Sequence, residues 1–150
     1  LRVTLGSIFI THACDKLGWY NLSAFWETDN LLIHTQNALG TFSGIIHEIF
    51  PMLTHNQSHQ LASFSALAEL IAGFAIFLGI FSRLAAFYLC SMMCFAIYYD
   101  FPNGFYGSEN GYEWAMLCLG GSQAILFMGE GRFSIYNLYL VTTTEQMKAL

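Results

Sequence analysis

Long apolar stretches with very few charges set the pattern of this chain. Residues 61–82 carry one charged side chain, Glu69, and residues 84–99 and 114–129 carry none. A helix needs about 20 mostly apolar residues to cross the hydrocarbon core of a membrane, and uncharged stretches of this kind leave no polar face for water. With their flanking residues, the predicted membrane spans cover residues 61–82, 84–100 and 113–130.

A fourth span is predicted near the N-terminus, at about residues 3–20, where His12, Asp15 and Lys16 interrupt an otherwise apolar sequence. The four spans together predict an all-α fold, an integral membrane four-helix bundle that forms a single domain over residues 1–150. A soluble all-α bundle with a large core is the alternative, and the near-absence of charge in three spans argues against it.

A further helix is predicted between the first two spans, at about residues 30–50. Its apolar residues recur at helical spacing with polar residues between them, Asp29 or Asn30 can cap its start, and Pro51 follows its end. This pattern is typical of an amphipathic helix on the outer surface of the membrane. It could cover the outer mouth of the bundle, or it could dock to a partner subunit.

The composition supports a membrane environment and excludes one class of partner. Hydrophobic residues make up 55% of the chain and charged residues 10%, against about 25% charged residues in an average soluble domain. The net charge of −5 argues against nucleic acid, which selects basic surfaces. The expected surroundings are membrane lipid and other membrane subunits, which would contact the spans or the 30–50 helix.

The charges also predict an orientation. Because lysine and arginine remain on the cytoplasmic side of membrane proteins, a multi-pass topology with both termini cytoplasmic is expected. That side would hold the bases Arg2, Arg83, Arg132 and Lys148. The opposite side would hold the acids Glu27, Asp29, Glu48, Asp100, Glu109 and Glu113.

Ionisable residues inside the spans are candidate site residues, because a charge in lipid is costly and usually has a partner or a task. At 1.5 Å per residue, Lys16 and Glu69 fall at similar depths, about 10 and 12 Å below the outer boundary of a core about 30 Å thick. We therefore predict that Lys16 and Glu69 pair, with His12 and Asp15 nearby. The pair could simply fix the register of two helices. Alternatively, the four residues could be the catalytic groups of a polar pocket that opens outward, in which Lys16 or His12 donates to a ligand oxygen and Glu69 or Asp15 handles a proton.

A glycine-rich loop, residues 101–114, precedes the last span. Its glycines permit backbone conformations that other residues rarely adopt, and Glu113 and Trp114 are expected at the mouth of the proposed pocket. The four cysteines all lie in predicted spans and form no Cys-x-x-Cys pair, and the sequence has no haem or iron–sulfur motif. His55 and His59 alone make a weak metal signal, so no metal site is predicted.

Several of these segments together resemble the DoxX family of four-helix membrane proteins. The N-terminal match runs from Arg2 to Phe9 and continues with His12 and Lys16-Leu17, and the second span matches through Leu67-Ala-Glu-Leu-Ile-Ala-Gly73. Further matches follow in order at Leu78-Gly79, Ser82 to Ala86, Asn103-Gly-Phe105, Gly111-Tyr-Glu113, Gly129-Glu-Gly131 and Ser134. The chain departs from the family at Tyr99 and Asp100, where a histidine is often found, and over residues 21–60.

The resemblance implies a redox context in a bacterial or archaeal cytoplasmic membrane. One branch of the family is the membrane subunit of thiosulfate:quinone oxidoreductase, so quinone is the implied cofactor. Carried over residue by residue, the matching polar positions are His12, Lys16, Glu69, Arg83, Asn103 and Glu113, of which Arg83, Asn103 and Glu113, together with Trp114, are candidate cofactor-binding residues.

Two functions remain open from the sequence. The chain could be a redox or respiratory subunit linked to quinone electron transfer, in which Lys16 or His12 bonds a quinone carbonyl and Glu69 or Glu113 relays protons. It could instead be a non-catalytic accessory or anchoring subunit of a larger membrane complex, with the polar cluster serving only helix register.

Overall fold

The part of the protein that the structure describes is mainly helical. The structure is a computed structural model that describes residues 1–19, 31–129, 131, 134 and 135, and within these residues it contains no strand. The all-α prediction is confirmed. The helices are α1 (Arg2–Lys16), α2 (Leu31–Ile49), α3 (His55–Leu78), α4 (Ser82–Asp100) and α5 (Glu113–Met128), and two 3₁₀ turns, Phe101–Asn103 and Gly107–Glu109, lie between α4 and α5.

Each predicted helix is present, with different ends. Among the described residues, two helical stretches are long and apolar enough to cross a membrane: α3, and residues Ser82–Asn103, which comprise α4 and the turn after it. Helices α1 and α5 have 15 and 16 residues, fewer than the roughly 20 that a perpendicular span needs, so their membrane crossing stays a prediction. Residues 20, 30 and 130, at the ends of predicted elements, lie outside the described residues.

Local capping explains why α3 begins earlier and ends earlier than the predicted span. The backbone N–H of Thr54 donates to Gln57 Oε1 at 2.9 Å, and the N–H of Gln57 donates to Thr54 Oγ1 at 3.4 Å. This reciprocal capping box starts the helix at His55. At the other end Gly79 adopts a φ of +75°, a left-handed conformation that terminates helices and that glycine adopts without strain.

The chain divides into two compact units, which we describe separately. The α2 unit comprises residues 8–71, and the α4–α5 unit comprises residues 1–7 and 72–150. The boundaries fall inside α1 and α3, because both helices contribute residues to each unit. The expectation of a single domain over residues 1–150 stays a prediction.

Helix α2 supplies one side of the core of the α2 unit. Leu39 and Ile46 are buried and Thr41, Gly44, His47 and Glu48 are exposed, which confirms the amphipathic pattern at these positions. The polar residue Ser43 departs from the pattern, because it is buried with the apolar residues. The buried apolar cluster consists of Leu17, Leu39, Ile46, Ala62 and Ala66, with Phe42, Phe50, Leu53 and Leu70 packed against it. It joins α1, α2 and α3 around the site described below.

Close backbone approach and helix packing hold the α4–α5 unit together. Helix α4 packs against α5 and buries Ala85, Ala86 and Leu89. A Cβ atom built on Gly6 would lie 2.8 Å from the backbone nitrogen of Phe77 and 2.9 Å from the carbonyl oxygen of Gly73. Only glycine at position 6 allows the first turns of α1 to lie this close to α3.

Candidate functional site

The α2 unit contains a buried ion pair. The Lys16 ammonium donates a hydrogen bond to Glu69 Oε2, joining the last residue of α1 to the middle of α3. Glu69 is 1% exposed, whereas the Lys16 side chain is 25% exposed. The predicted pairing is confirmed. Of the two side chains, the lysine is the one that is accessible from outside the protein.

An aromatic ring from α2 completes the surroundings of the ammonium. Lys16 Nζ lies 4.8 Å from the centroid of the Phe42 ring, which is within the range of a cation–π attraction. Lysine has three N–H donors; one is committed to Glu69, and the ring face stabilises the positive charge without consuming an acceptor. Residues of three helices therefore meet at Lys16.

The local sequence places Lys16 at a helix end. Leu17 N–H donates to Ala13 O at 3.0 Å and Trp19 N–H to Cys14 O at 2.8 Å, and Gly18 takes a φ of +72°. This is the usual glycine-based termination of a helix, so Lys16 occupies the last turn, where the helix dipole favours a cation. Ala62 and Ala66 on α3 have small side chains, which leaves room for the end of α1 to lie close enough to α3 for Lys16 to reach Glu69.

Two of the predicted catalytic residues, His12 and Asp15, are exposed rather than buried. His12 lies one helical turn before Lys16. The buried face of α1 runs through Phe9, Ala13 and Leu17, to one side of both residues, so His12 need not be buried where Lys16 is partly buried. The contacts that the structure describes join Lys16 to Glu69, and the roles expected of His12 and Asp15 stay predictions.

The glycine-rich loop lies in the α4–α5 unit and is closed by its own hydrogen bonds. Tyr112 N–H donates to Gly104 O at 3.2 Å, and Glu113 N–H donates to Phe105 O at 3.0 Å. Tyr112 also stacks on Phe101 with ring centroids 5.6 Å apart and meets Phe105 edge to face at 5.5 Å. The loop therefore has a defined conformation that its own hydrogen bonds and aromatic contacts stabilise.

Of the candidate cofactor-binding residues in this unit, two form hydrogen bonds within the loop and two are exposed at the surface of the unit. Asn103 Nδ2 donates to Asn110 O at 3.2 Å, and Glu113 Oε2 accepts a hydrogen bond from the Gly107 N–H at 3.0 Å. Gly107 lies against the indole of Trp114, which is exposed. Arg83 is also exposed, and its guanidinium lies beside Gly129.

Sequence reasoning missed two residues of the α2 unit. Phe42 was one of several apolar residues on the amphipathic helix, and only the structure shows that it lies under Lys16. Ser58 is fully buried, and its hydroxyl has no hydrogen-bond partner in the described part of the chain. Its position in line with Ser65 and Glu69 on a helix could have marked it in the sequence.

The described part of the chain shows no cluster of side chains suited to binding a metal ion. No group of three or more His, Cys, Asp or Glu residues suited to a metal ion occurs among the described residues. All four cysteines belong to that described part, and none forms a disulfide. The functional interpretation therefore depends on the Lys16–Glu69 pair.

The comparison with protein families identifies the chain. The DoxX family model matches residues 1–100, two thirds of the sequence and the part that contains both Lys16 and Glu69. The chain belongs to the DoxX family. The match ends before Asn103 and Glu113, so the family model covers the ion pair and does not extend to the glycine-rich loop.

Membership of the DoxX family and the two long apolar helices together indicate a membrane location. Contact with lipid follows from this location. No curated protein and no solved structure gave a significant match to the chain.

Proposed function

We propose that this DoxX protein is a quinone-linked membrane subunit of a redox assembly, multi-pass in a bacterial or archaeal cytoplasmic membrane with both termini cytoplasmic. The observation that carries the proposal is the Lys16–Glu69 pair, a buried carboxylate joined to a partly exposed ammonium. The family supports it, because DoxX proteins include quinone-related oxidoreductase subunits. In lipid, ionisable groups of this kind commonly mark ligand sites and proton relays.

The residues around the pair fit a quinone head group. Such a ligand is flat and apolar, with carbonyl oxygens that need a hydrogen-bond donor, and ligand sites typically combine apolar walls with a few placed polar groups. Lys16 supplies a charged donor that is one quarter exposed. Phe42 supplies an aromatic surface on α2 next to it, and the buried apolar cluster that includes Leu17 and Leu39 lies in the same unit.

The two charged residues have different tasks in this proposal. A quinone supplies a two-electron acceptor that also takes up two protons when it is reduced. Lys16 donates a hydrogen bond to a carbonyl oxygen, and its charge stabilises the negative charge that develops there. Glu69, hydrogen-bonded to the same ammonium, holds a proton and passes it on, the role of a general acid–base.

The electrons come from a partner subunit in this proposal. This chain carries no Cys-x-x-Cys-His motif and no cysteine spacing typical of an iron–sulfur cluster. The chain therefore contributes quinone binding and proton handling, while another subunit supplies the electron donor.

A second function, a non-catalytic accessory subunit, is favoured by one observation. The Lys16 ammonium already has an acceptor in Glu69 and an aromatic face in Phe42, so the pair alone can fix the register of α1, α2 and α3. Buried ion pairs serve such registry in some proteins. The two functions differ in whether the lysine is needed for anything besides folding.

Quinone binding to the purified protein tests the proposal. We expect Lys16→Met to weaken the binding of a short-chain quinone about 10-fold or more, because a hydrogen bond from a charged donor contributes about 1.5–3 kcal/mol. Glu69→Gln keeps the size and polarity of the side chain and should keep binding while it loses proton uptake on quinone reduction. Glu48→Gln, an exposed carboxylate on α2, is the matched control and should change neither.

Unchanged quinone affinity in a folded Lys16→Met protein contradicts the quinone-linked function and favours the accessory subunit. Quinone in the organic extract of the wild-type protein, and its absence from that of the Lys16→Met protein, would be the corresponding positive result.

A further inference from the structure

Helix α5 carries an exposed amide that its own unit does not satisfy. The Gln123 side chain is exposed and forms no hydrogen bond with the described residues. The hydroxyls of Ser7, Thr11 and Ser91 differ from it, because each donates to a carbonyl oxygen three or four residues earlier in its own helix. Gln123 therefore presents unsatisfied donors and an unsatisfied acceptor on the surface of α5.

This amide lies inside the span predicted at residues 113–130. At 1.5 Å per residue Gln123 is about 10 Å from the nearer end of that span, and a glutamine side chain is too short to cover the distance. Lipid tails offer no hydrogen bonds, so an unpaired polar group among them is costly. Glutamine side chains in membrane bundles form hydrogen bonds across helix–helix interfaces. The amide therefore indicates that a second helix contacts α5.

Gln123 belongs to a face of α5 that points away from the packed side of the helix. Ser122 and Ile125 are buried and mark the packed side. Four exposed residues share the other side and fall within about 60° of one another at 100° per residue: Met116, Gly120, Gln123 and Phe127. We call these four residues the outer face of α5.

The outer face has the pattern of a helix–helix interface. Its residues recur at intervals of four, three and four, the spacing at which two helices pack with a crossing angle of about 20°. Nothing lies within 4 Å of a Cβ atom built on Gly120, and a small residue there, glycine or alanine, lets a neighbouring helix approach closely. The four residues carry no charge that would repel an identical face.

A second copy of α5 matches the chemistry of this face. A glutamine amide has two donors and one acceptor, so two such amides can donate to each other reciprocally. Two copies inserted with the same topology have parallel α5 helices. A two-fold axis along the membrane normal then brings each residue near its equivalent in the other copy, at equal depth.

We propose that two copies of this chain form a dimer through the outer face of α5, with the two Gln123 amides hydrogen-bonded to each other across the two-fold axis. The dimer rests on the predicted membrane crossing of α5. It does not depend on quinone binding, because none of its residues belongs to the Lys16–Glu69 site.

Disulfide cross-linking of introduced cysteines tests the outer face. The background is the full chain with alanine in place of the four native cysteines, Cys14, Cys90, Cys94 and Cys118. Into it we place Met116→Cys as the probe, which leaves Gln123 intact, and Leu117→Cys as the control. Leu117 is also exposed but lies about 90° from the centre of the outer face. Phe127→Cys is measured in place of Met116→Cys if that variant does not fold.

The measured quantity is the rate at which a mild oxidant forms disulfide-linked dimers in vesicles that hold lipid in large excess over protein. We expect Met116→Cys to cross-link about tenfold or more faster than Leu117→Cys, because a disulfide requires the two Cβ atoms to lie within about 4.5 Å. Equal rates at the two positions, or no dimer of Met116→Cys, would overturn the interface. Cross-linking of Met116→Cys to a different subunit in the native membrane, in place of a second copy, would overturn it as well.

Substitution of Gln123 in the Met116→Cys background tests the amide. Gln123→Leu keeps a side chain of similar size without the amide, and we expect dimer association to weaken about threefold to 30-fold, the contribution of hydrogen bonds between membrane helices. Gln123→Asn keeps the donors and the acceptor and should retain more of the dimer. An unchanged dimer in the Gln123→Leu protein would contradict the amide pair and with it the proposal. Because no quinone is present, failure of this test leaves the proposed function unaffected.

Discussion

The Lys16 ammonium and the Glu69 carboxylate form one buried hydrogen-bonded pair between the end of α1 and the middle of α3. The two side chains differ in exposure, and this difference determines what each can do. Glu69 is almost fully buried, whereas Lys16 is partly exposed. In the proposed function, Glu69 handles the proton and Lys16 reaches the ligand. The predictions below separate the contribution of this pair to folding from its contribution to binding.

Coupling between the two charges should be measurable as stability. Removing one partner of a buried pair leaves the other uncompensated. Because Lys16 is partly solvated, we expect Glu69→Leu to lower the free energy of unfolding by about 2 kcal/mol, below the usual 3–5 kcal/mol. A double-mutant cycle with Lys16→Met, measured by reversible unfolding in mild detergent, should give a coupling of about 2 kcal/mol or more. A coupling near zero would show that the pair does not hold α1 against α3.

The Phe42 ring should contribute through its face. Phe42→Leu keeps an apolar side chain but removes the cation–π attraction to Lys16, so the unfolding free energy should fall by about 0.5–1 kcal/mol beyond the change in packing. Repeating the substitution in the Lys16→Met background isolates this part. If Phe42→Leu costs the same stability in both backgrounds, the ring acts only as core.

Gly6 should tolerate no side chain. Gly6→Ala places its Cβ against backbone atoms of Gly73 and Phe77, which cannot move aside as a side chain can, and we expect a loss of about 1–3 kcal/mol. Gly120→Ala in α5 is the matched control, because nothing lies within 4 Å of its Cβ. There the higher helix propensity of alanine should add about 0.5–1 kcal/mol. Thermal unfolding that ranks the two variants in the opposite order would contradict the close approach.

The Glu113 carboxylate should hold the glycine-rich loop closed. Glu113→Ala removes the acceptor for the Gly107 N–H, a loss of about 1 kcal/mol, or about fivefold in the open population of the loop. Chymotrypsin cleavage after Phe105 and Tyr106 should accelerate by that factor, while Glu113→Gln, which keeps an acceptor oxygen, should accelerate it much less. Cleavage at the wild-type rate in Glu113→Ala would mean that the backbone bonds alone close the loop.

The sequence predicted the ion pair because helix geometry is regular. A fixed rise per residue places Lys16 and Glu69 at similar depths once the spans are drawn, and the structure confirms that they pair. Side-chain burial cannot be predicted in the same way, because it depends on which face of a helix packs against other helices. This is why His12 and Asp15, which looked like parts of the same cluster, are exposed.

Contacts between residues that are far apart in the chain could not be predicted from the sequence. Phe42 is one of many apolar residues in α2, and its position under Lys16 depends on how three helices pack. The helix ends depended on side-chain capping at Thr54 and Gln57 and on the left-handed glycine at Gly79. Asn103 and Glu113 were expected to bind a cofactor, and the hydrogen bonds they make within the loop arise from a fold of residues 101–114 that their order alone does not reveal.

The most direct test of the account is quinone binding by the Lys16→Met/Glu69→Leu double variant, measured together with its stability. Replacing a buried ion pair by apolar residues of similar volume often leaves stability unchanged or improved, so the variant should unfold at or above the wild-type temperature. Our account predicts that this folded protein has lost quinone binding, by about 10-fold or more. Wild-type quinone affinity in the folded double variant would contradict it and would leave the pair with a purely structural role.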